Sequence, residues 1–393
     1  MSKIMDFCTP KELGMIKDPL YTYVIFNKRT ERPIIDSPFF QRLRYLHQLQ
    51  VAHLVYPGAT HTRFQHSLGA MHLAGLFSEF LLLTNEEGTR DTQEIYDLVQ
   101  IARIAGLLHD IGHGPYSHAF DEGVTMHNKE LKSKGINNHE VVGRCLVEHS
   151  ELGEHLENLG YLKTVHQLLS DDSKSIPLEL RPLRLTVKEW VYPVDIIDFL
   201  LRDSYYCGVQ EYGHVDYMRL IRSTGICNKE HLCIMKKALS SLKAFLISRF
   251  SMFENVYYHK FCRKSDWLAR EILRHASEEL ELPDVLLAML DGDFERWITL
   301  TDQSILTEIL KAAKSPNAMP DLKKAAEYAC MFRERRIPWK LVAEKELKFY
   351  GAQAVVLSRF FQEDSLREDM QEMITEKLPG EVKSIAEKDD ALF

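Results

Sequence analysis

The sequence predicts a mainly α-helical fold with a few short strands. Apolar residues recur at helical spacing between turn residues through most of the chain, and only two stretches have the composition of strands. The chain is 45% hydrophobic and 27% charged, as expected of a protein with a sizeable core. At 393 residues, we expect an N-terminal helical domain over residues 1–210 and a C-terminal helical region over residues 211–393 that packs on it.

The N-terminal part contains four predicted helices. Their approximate limits are Thr62–Leu83, Thr92–His109, His139–Glu154 and Pro193–Gly208. The first follows a Pro-Gly turn and begins with the capping box Thr62-x-x-Gln65. The second ends where Gly112 and Gly114 interrupt the helical pattern. The fourth starts at a proline, which suits the first helical position.

Strands are predicted at Tyr21–Phe26 and around Gly225–Ile234. Helical spacing returns in three later segments, Lys237–Phe253, Asp266–Glu281 and Lys323–Arg336. The acidic, lysine-rich C-terminal end is expected to be peripheral.

Bulk properties exclude several classes of protein. A net charge of −8 makes nucleic acid an unexpected partner, and an anionic substrate would need a local positive site. No apolar run reaches the ~18 residues of a membrane span, and the N-terminus lacks the apolar region of a signal peptide. The seven cysteines are scattered with no CxxC pair, which predicts reduced thiols and a cytoplasmic protein.

The stretch LLHDIGHGPYSH, Leu107–His118, indicates a metal site. His109 and Asp110 end an apolar helix and offer one borderline and one hard ligand, which suits zinc, manganese, iron or magnesium. His66, one turn into the capped helix, and Asp195, in the first turn of the fourth helix, complete a set of four. Such a set leaves coordination positions for water or a phosphate oxygen.

Each residue also has a purely structural interpretation. His66 can be a hydrogen-bonded histidine beneath a helix start, and Asp195 a carboxylate favoured by a helix N-terminus. Asp198 and Arg202, four residues apart, can form a surface ion pair. Their combination at these spacings favours the metal site.

Three segments together resemble the HD superfamily of metal-dependent phosphohydrolases, and most closely its deoxynucleoside triphosphate triphosphohydrolase branch. They are RFQHSLG (Arg63–Gly69), LLHDIGHGPYSH and VDIIDFLLRD (Val194–Asp203). The similarity starts near Lys17 and continues, more weakly, to about Lys340, so no sterile-alpha-motif domain is expected. The resemblance implies an HD-domain helical bundle with additional C-terminal helices. It also implies one divalent metal ion (Zn, Mn, Fe, Ni or Mg) on His66, His109, Asp110 and Asp195.

The resemblance further implies hydrolysis of dNTPs to a deoxynucleoside and intact triphosphate. The matching catalytic residues are His113, His118, Asp121 and His139, with the histidines in proton transfer and hydrogen bonding at the α-phosphate. His113 can instead merely orient a metal ligand, and His139 can be an ordinary histidine at a helix start.

Seven residues match substrate contacts of the family. They are Gln48, Leu49, Arg63, Asp203, Arg249, Tyr257 and Lys260. Arg63 is expected at a phosphate, Asp203 at the 3′-hydroxyl and Tyr257 beneath the sugar, although Tyr257 can also be a packing residue. The chain departs from the family at Ile196, Phe199, Tyr205, Tyr206, Phe253 and Tyr258. These departures put the phosphate contacts and base preference in doubt and leave the metal set intact.

A regulatory site is implied as well, in which a guanine nucleotide and a second dNTP bind between subunits and drive tetramer assembly. The matching residues are Asp36, Gln41, Arg44, Arg219, Arg336 and Lys340. Gly14 stands where the family has a lysine, so activation is expected to differ. The arginines can equally be ordinary solvated charges.

Two other functions remain open at this stage. The departures at Ile196, Phe199 and Tyr258 are compatible with another HD phosphohydrolase, such as a nucleotidase or cyclic-nucleotide phosphodiesterase. A nucleotide-sensing binding protein with little turnover is the third possibility, but it would not need both His113 and His118. The native metal, the preferred base and the activator are left open.

Overall fold

The computed structural model describes residues 9–85, 91–170, 176–228 and 230–337. The chain forms two compact units, residues 1–339 and 340–393, and every described residue lies in the first. The domain boundary near residue 210 stays a prediction. The mainly α-helical class is confirmed, with 18 α-helices and two small sheets among the described residues.

The helices and strands have the following limits in chain order. In the first half they are β1 (Leu13–Asp18), β2 (Thr22–Asn27), α1 (Arg32–Asp36), α2 (Pro38–Gln41), α3 (Arg63–Asn85), α4 (Thr92–Leu108), α5 (His118–Phe120), α6 (Lys129–Ser133), α7 (His139–His149), α8 (Glu151–Asn158), α9 (Leu162–Leu169) and α10 (Arg181–Val187). In the second half they are α11 (Val194–Cys207), α12 (Tyr217–Ile221), β3 (Thr224–Cys227), β4 (His231–Ile234), α13 (Leu239–Met252), α14 (Lys260–Ala276), α15 (Leu282–Ala288), α16 (Glu295–Thr299), α17 (Asp302–Ala312) and α18 (Pro320–Arg333).

The helices that carry the predicted site form close to their predicted limits. At the start of α3, the backbone N–H of Thr62 donates to Gln65 Oε1 at 2.9 Å, which is one half of the expected capping box. Asp91 caps α4 by accepting from the backbone N–H of Glu94 at 2.7 Å. Helix α11 begins one residue after Pro193 and ends at Gly208, whose φ of 74° is a left-handed conformation that favours glycine.

Two predicted helices have different limits. The segment predicted as one helix over His139–Glu154 is divided into α7 and α8 at Ser150. Ser150 has an extended backbone, and its side chain caps α8 by accepting a hydrogen bond from the Leu152 N–H. The helix predicted over Asp266–Glu281 starts and ends earlier, as α14. The Ser150 cap thus overrides the continuing apolar pattern in the first case, and His259 caps the earlier start of α14 by accepting from the Phe261 N–H.

Both predicted strand regions form antiparallel pairs. β2 pairs with β1, which the sequence did not indicate, and Gly14 faces Phe26 across the pair. The Phe26 ring covers Gly14 so closely that a side chain there would displace it. β3 and β4 form the second pair, and a disulfide joins Cys227 and Cys233. The expectation that all cysteines are reduced is therefore wrong. The two cysteines are six residues apart in the sequence, and the hairpin places them on adjacent strands.

Helix α3 is the central element of the unit and packs against α4 and α11. By length and composition alone the stretch Arg63–Thr84 could cross a membrane, with a mean hydropathy of 1.3, but 72% of that window is buried in the fold. Its apolar composition is accounted for by its place in the core, and it carries His66 at its buried N-terminal end.

Candidate active site

The four predicted metal ligands converge from three helices. His66 lies in the first turn of α3, His109 and Asp110 follow the last turn of α4, and Asp195 lies in the first turn of α11. His66 Nε2 is 3.1 Å from His109 Nε2 and 3.1 Å from Asp195 Oδ1. Asp110 Oδ1 lies 3.4 Å from His109 Nε2, and its Oδ2 lies 3.7 Å from His66 Nε2. Two imidazole nitrogens and two carboxylates therefore face one point.

The remaining ring nitrogens of both histidines have partners that orient them. His109 Nδ1 donates to the Gly106 carbonyl at 2.8 Å, and His66 Nδ1 lies 2.8 Å from Asp198 Oδ2. Nε2 of each ring is thereby directed to the shared point, as in metal-binding histidines. Burial alone would lower the pKa of His66, but hydrogen bonds with Asp195 and Asp198 raise it to about 10. The strongly negative surroundings and the N/O donor set fit a divalent cation.

Asp198 belongs to a buried ionic network and not to the surface ion pair that the sequence allowed. Arg202 donates to both Asp198 oxygens at 2.8 and 2.9 Å, and its third contact is Asp18 Oδ2 at 2.9 Å. Tyr21 donates to Asp198 Oδ1 at 2.7 Å. The turn between β1 and β2 is thus connected through Asp198 to the predicted ligand His66.

Arg63 organises the loop that follows the His-Asp pair. It forms an ion pair with Asp110 Oδ2, and its Nε donates to Ser117 Oγ at 2.8 Å. Burial raises the pKa of Asp110, but Arg63 and His109 outweigh it and hold that pKa well below its usual range. Tyr116 and Ser117 have φ values of 56° and 55°, a left-handed conformation that costs non-glycine residues energy.

The predicted catalytic histidines form one cluster beside the predicted metal ligands. The His113 ring stacks on the His139 ring with centroids 3.6 Å apart. Asp121 Oδ2 lies 2.6 Å from His139 Nδ1 and 4.0 Å from His118 Nδ1, so it orients His139. Burial, with Arg63 and His139, holds the pKa of His113 well below its usual range, which keeps that ring neutral. The side chain of His118 is 59% exposed.

A cavity of about 770 Å³ joins this cluster to the predicted substrate residues. Its lining includes Gln48, Leu49, Arg63, His109, Asp110, His113, His118, His139, Asp195, Asp203, Arg249 and Tyr257. Asp121 lies beneath His139, and Lys260 is an exposed residue at the start of α14 that does not line the cavity. Four departures from the family pattern, Ile196, Phe199, Phe253 and Tyr258, also line it.

The carboxylate of Asp203 is held on both sides in the cavity wall. Tyr257 donates to its Oδ2 at 2.8 Å, and His61 Nε2 lies 2.7 Å from its Oδ1. Burial, with the neighbouring Asp203 carboxylate, raises the pKa of Tyr257 well above its usual value, so the phenol stays a donor. His61 was not among the predicted site residues, although it stands only two residues before Arg63 in the same motif.

The predicted regulatory residues lie at the surface. Asp36 pairs with Arg32 at 2.9 Å, Gln41 accepts from Arg44, and the Arg44 guanidinium lies 3.5 Å from the centre of the Phe64 ring. Arg219 and Arg336 are exposed, and Lys340 lies outside the described residues. Their regulatory role stays a prediction.

The HD domain family model matches residues 63–188, and the HD associated region matches residues 215–318. The chain is 29% identical over 85% of its length to the deoxynucleoside triphosphate triphosphohydrolase SAMHD1 of Gallus gallus and covers 56% of that protein. With the SAMHD1 homolog of Dictyostelium discoideum it shares 30% identity over 79% of its length, covering 56% of that relative. The chain thus spans somewhat more than half the length of these two curated relatives.

Solved structures show the same fold. A phosphohydrolase from Bacteroides thetaiotaomicron superposes with a TM-score of 0.66 at 27% identity, covering 83% of this chain and 77% of that one. A hypothetical protein from Aquifex aeolicus gives a TM-score of 0.66 at 26% identity, covering 94% and 84%. The two family matches together cover more than half of the chain, and the first includes His66, His109 and Asp110 but not Asp195. The chain therefore belongs to the HD domain family of phosphohydrolases.

Proposed function

We propose that this protein hydrolyses deoxynucleoside triphosphates to a deoxynucleoside and triphosphate. The observation that carries the proposal is the single cavity that contains both the His-Asp site and the Asp203–Tyr257 pair. Its volume of about 770 Å³ is in the range that accepts a nucleotide-sized ligand. The names of the SAMHD1 relatives support the same substrate class.

The metal would be held by His66, His109, Asp110 and Asp195. A divalent ion there supplies Lewis-acid stabilisation of phosphate charge and fixes a water. Several ions suit this N/O donor set, so the choice of metal is left to measurement.

The chain's own residues supply positive charge and proton transfer. Arg63 lies in the cavity wall beside Asp110 and can donate to a phosphate oxygen while it holds the loop. His113 is neutral and buried beside the metal ligands, where it can hydrogen-bond to the α-phosphate without adding charge. His118 also lines the cavity, and its side chain is 59% exposed. Burial, with Arg63 and His139, lowers the pKa of His118 to about 4, so its neutral ring can hydrogen-bond to the leaving 5′-oxygen or accept a proton from a water.

The sugar would bind where Gln48, Asp203 and Tyr257 line the cavity. The Asp203 carboxylate would accept a hydrogen bond from a 3′-hydroxyl, and the Tyr257 ring would lie beneath the sugar and exclude a 2′-hydroxyl. Arg249, which also lines the cavity, is the candidate for the outer phosphates.

We further propose nucleotide activation in a homotetramer. The exposed positions of Asp36, Arg44 and Arg219 leave them accessible to a nucleotide between subunits. On α13, Ile247 is 66% and Phe250 is 65% exposed, and two large apolar side chains three residues apart on one helix favour a subunit contact.

The test is incubation of the purified protein with dNTPs, singly and in pairs, with Mg²⁺ or Mn²⁺. We expect deoxynucleoside and tripolyphosphate in equal amounts. Release of pyrophosphate or orthophosphate instead would assign a different bond and reject the proposal. A His113→Ala variant with normal metal content should lose product formation. If the protein is instead a nucleotide sensor with little turnover, the substitution should leave its nucleotide binding and sensing unchanged.

A further inference from the structure

We propose that His61 is a positioning residue that holds the Asp203 carboxylate in place for the 3′-hydroxyl of the substrate. The inference rests on the proposed function, because it assigns a role within the sugar-binding part of the same cavity. It concerns a residue that does not itself line the cavity and that acts through its neighbours.

The first observation is the pair of contacts that fixes Asp203. The His61 side chain is 0% exposed and the Asp203 side chain is 2% exposed, with 2.7 Å between His61 Nε2 and Asp203 Oδ1. An ionised carboxylate only accepts, so His61 Nε2 is the donor. Tyr257 donates to the other oxygen at 2.8 Å. Each oxygen keeps a second lone pair for a ligand, but the carboxylate can no longer rotate freely.

The second observation is that the His61 ring is itself supported. It stacks on Tyr206 with ring centroids 4.6 Å apart and an interplanar angle of 15°. Gln65 Nε2 lies 3.2 Å from the Tyr206 hydroxyl. At Gly58 a Cβ would lie 2.4 Å from the Tyr206 carbonyl oxygen, so the loop carrying His61 is seated directly against the end of α11. Tyr206, a departure from the family pattern, thus has a structural role here.

The third observation concerns the backbone of His61. Its carbonyl accepts from the Gln48 N–H at 3.0 Å. Gln48 Oε1 is buried and has no hydrogen-bond partner among the described residues, although Gln48 lines the cavity. One residue therefore places two polar groups of the cavity wall, Asp203 through its ring and Gln48 through its main chain.

Positioning predicts a loss of discrimination rather than a general loss of rate. A site built to hydrogen-bond a hydroxyl discriminates strongly against the analogue that lacks it. If His61 fixes Asp203, its removal should lower kcat/KM for a dNTP more than for the matching 2′,3′-dideoxynucleotide. A residue that only stabilises the fold would lower both values by the same factor.

The experiment compares dCTP and ddCTP as substrates in one fixed mixture of GTP and dATP, following release of deoxycytidine or dideoxycytidine. His61→Phe keeps the ring on Tyr206 and removes the donor. His61→Gln places a donor near the Nε2 position, whereas His61→Asn does not. Metal content and thermal unfolding are measured for every variant, so that the Gln and Asn pair carries the test if the Phe variant fails to fold.

We expect the ratio of kcat/KM for dCTP to that for ddCTP to fall about tenfold in the Phe and Asn variants and to recover in the Gln variant. An unchanged ratio in variants that retain metal would overturn the role of His61 and leave the proposed function standing. A wild-type protein that releases no triphosphate from any dNTP would overturn both.

Discussion

The carboxylate of Asp302 accepts a hydrogen bond from the backbone N–H of Tyr116 at 2.7 Å. Its other oxygen accepts from the His47 N–H at 2.8 Å, and the Tyr116 hydroxyl donates to the Asp302 carbonyl at 2.9 Å. Asp302 lies at the start of α17, far along the chain from the loop that carries His113 and His118. It therefore fixes a left-handed segment of the candidate active site from the C-terminal part of the unit.

Replacing Asp302 should destabilise the fold and misplace this loop. We expect Asp302→Ala to lower the free energy of unfolding by about 2–4 kcal/mol, because the buried Tyr116 N–H and the half-buried His47 N–H lose their acceptor. Urea denaturation measures the change, and the exposed neighbour Gln303→Ala serves as the control. Equal midpoints for the two variants would contradict the role given to Asp302.

Replacing Asp198 should weaken the metal site although Asp198 is not a ligand. Asp198→Ala removes the partner of His66 Nδ1 and leaves Arg202 with Asp18 alone. We expect metal affinity to fall about 10–100-fold and the free energy of unfolding to fall by about 3–5 kcal/mol. Competition with a chelator measures the affinity. Asp198→Asn, which keeps one acceptor oxygen, should show a smaller loss in both measurements.

Metal removal should abolish activity and lower stability together. Since the folded state binds the ion and the unfolded state does not, metal at about 1,000 times its Kd should add about 4 kcal/mol of stability. Dialysis against a chelator followed by thermal unfolding, with and without added Mn²⁺ or Zn²⁺, measures this gain. In His66→Ala the gain should disappear, whereas His127→Ala, at an exposed histidine, should retain it. A gain that persists in His66→Ala would place the ion elsewhere.

The free energy of unfolding should depend on pH through Asp266, which lies in the cavity wall. Burial raises the pKa of Asp266 to about 7, although Arg263 Nη1 lies 3.5 Å from its Oδ2 and opposes the rise. The unfolded carboxyl titrates near pH ~4, so the folded state binds the proton more tightly. Its stabilising effect is complete below pH ~4 and is lost as the pH rises through about 7.

Asp266→Asn should therefore gain stability relative to the wild type by about 1–2 kcal/mol at pH ~8 and little at pH ~4. Denaturation at both pH values measures the difference, and Asp284→Asn, at an exposed carboxylate, is the control. Parallel pH profiles for wild type and Asp266→Asn would show that this carboxyl does not titrate differently on folding.

Placing a charge among the exposed apolar side chains of α13 should impair assembly of the subunits. A charge at the centre of a subunit contact weakens association strongly, so Phe250→Glu should raise the dissociation constant by at least about tenfold. Light scattering across a concentration series, with and without GTP and dNTP, measures the mass. Leu178→Glu, at another exposed apolar residue, should assemble normally. Identical masses for wild type and Phe250→Glu would exclude this face as a contact.

The convergence of the candidate metal ligands was predictable because these residues obey local rules. The apolar period of α4 leads directly to His109 and Asp110, and Gly112 and Gly114 stop the pattern there. Helix starts placed His66 and Asp195 in first turns, where a side chain can reach across a helix end. The convergence of four polar groups then needed only that the helix ends meet.

The partners of these residues were not predictable in the same way. An Asp-Arg pair at i,i+4 has the same spacing on the surface and in the core, and the burial of Asp198 and Arg202 depends on Asp18, 184 residues from Arg202. Asp302 lies 186 residues from Tyr116, and no periodicity records that contact. Strand β1 was not predicted because it contains Gly14, which disfavours a strand when β1 is considered alone. The Phe26 ring of the partner strand covers Gly14, and this contact cannot be inferred from the residues of β1 alone.

The two left-handed residues, Tyr116 and Ser117, limit how the motif can be transplanted. A protein engineer who grafted Leu107–His118 onto another helical bundle would copy the ligands and histidines but not the restraints on this bend. Without Arg63 at Ser117 and Asp302 at Tyr116, the grafted backbone would relax toward right-handed conformations and separate His113 from His118. A graft that keeps this geometry must therefore combine separate segments of the chain. Besides the motif, it must include the start of α3, with Arg63, and the start of α17, with Asp302, nearly two hundred residues after the motif.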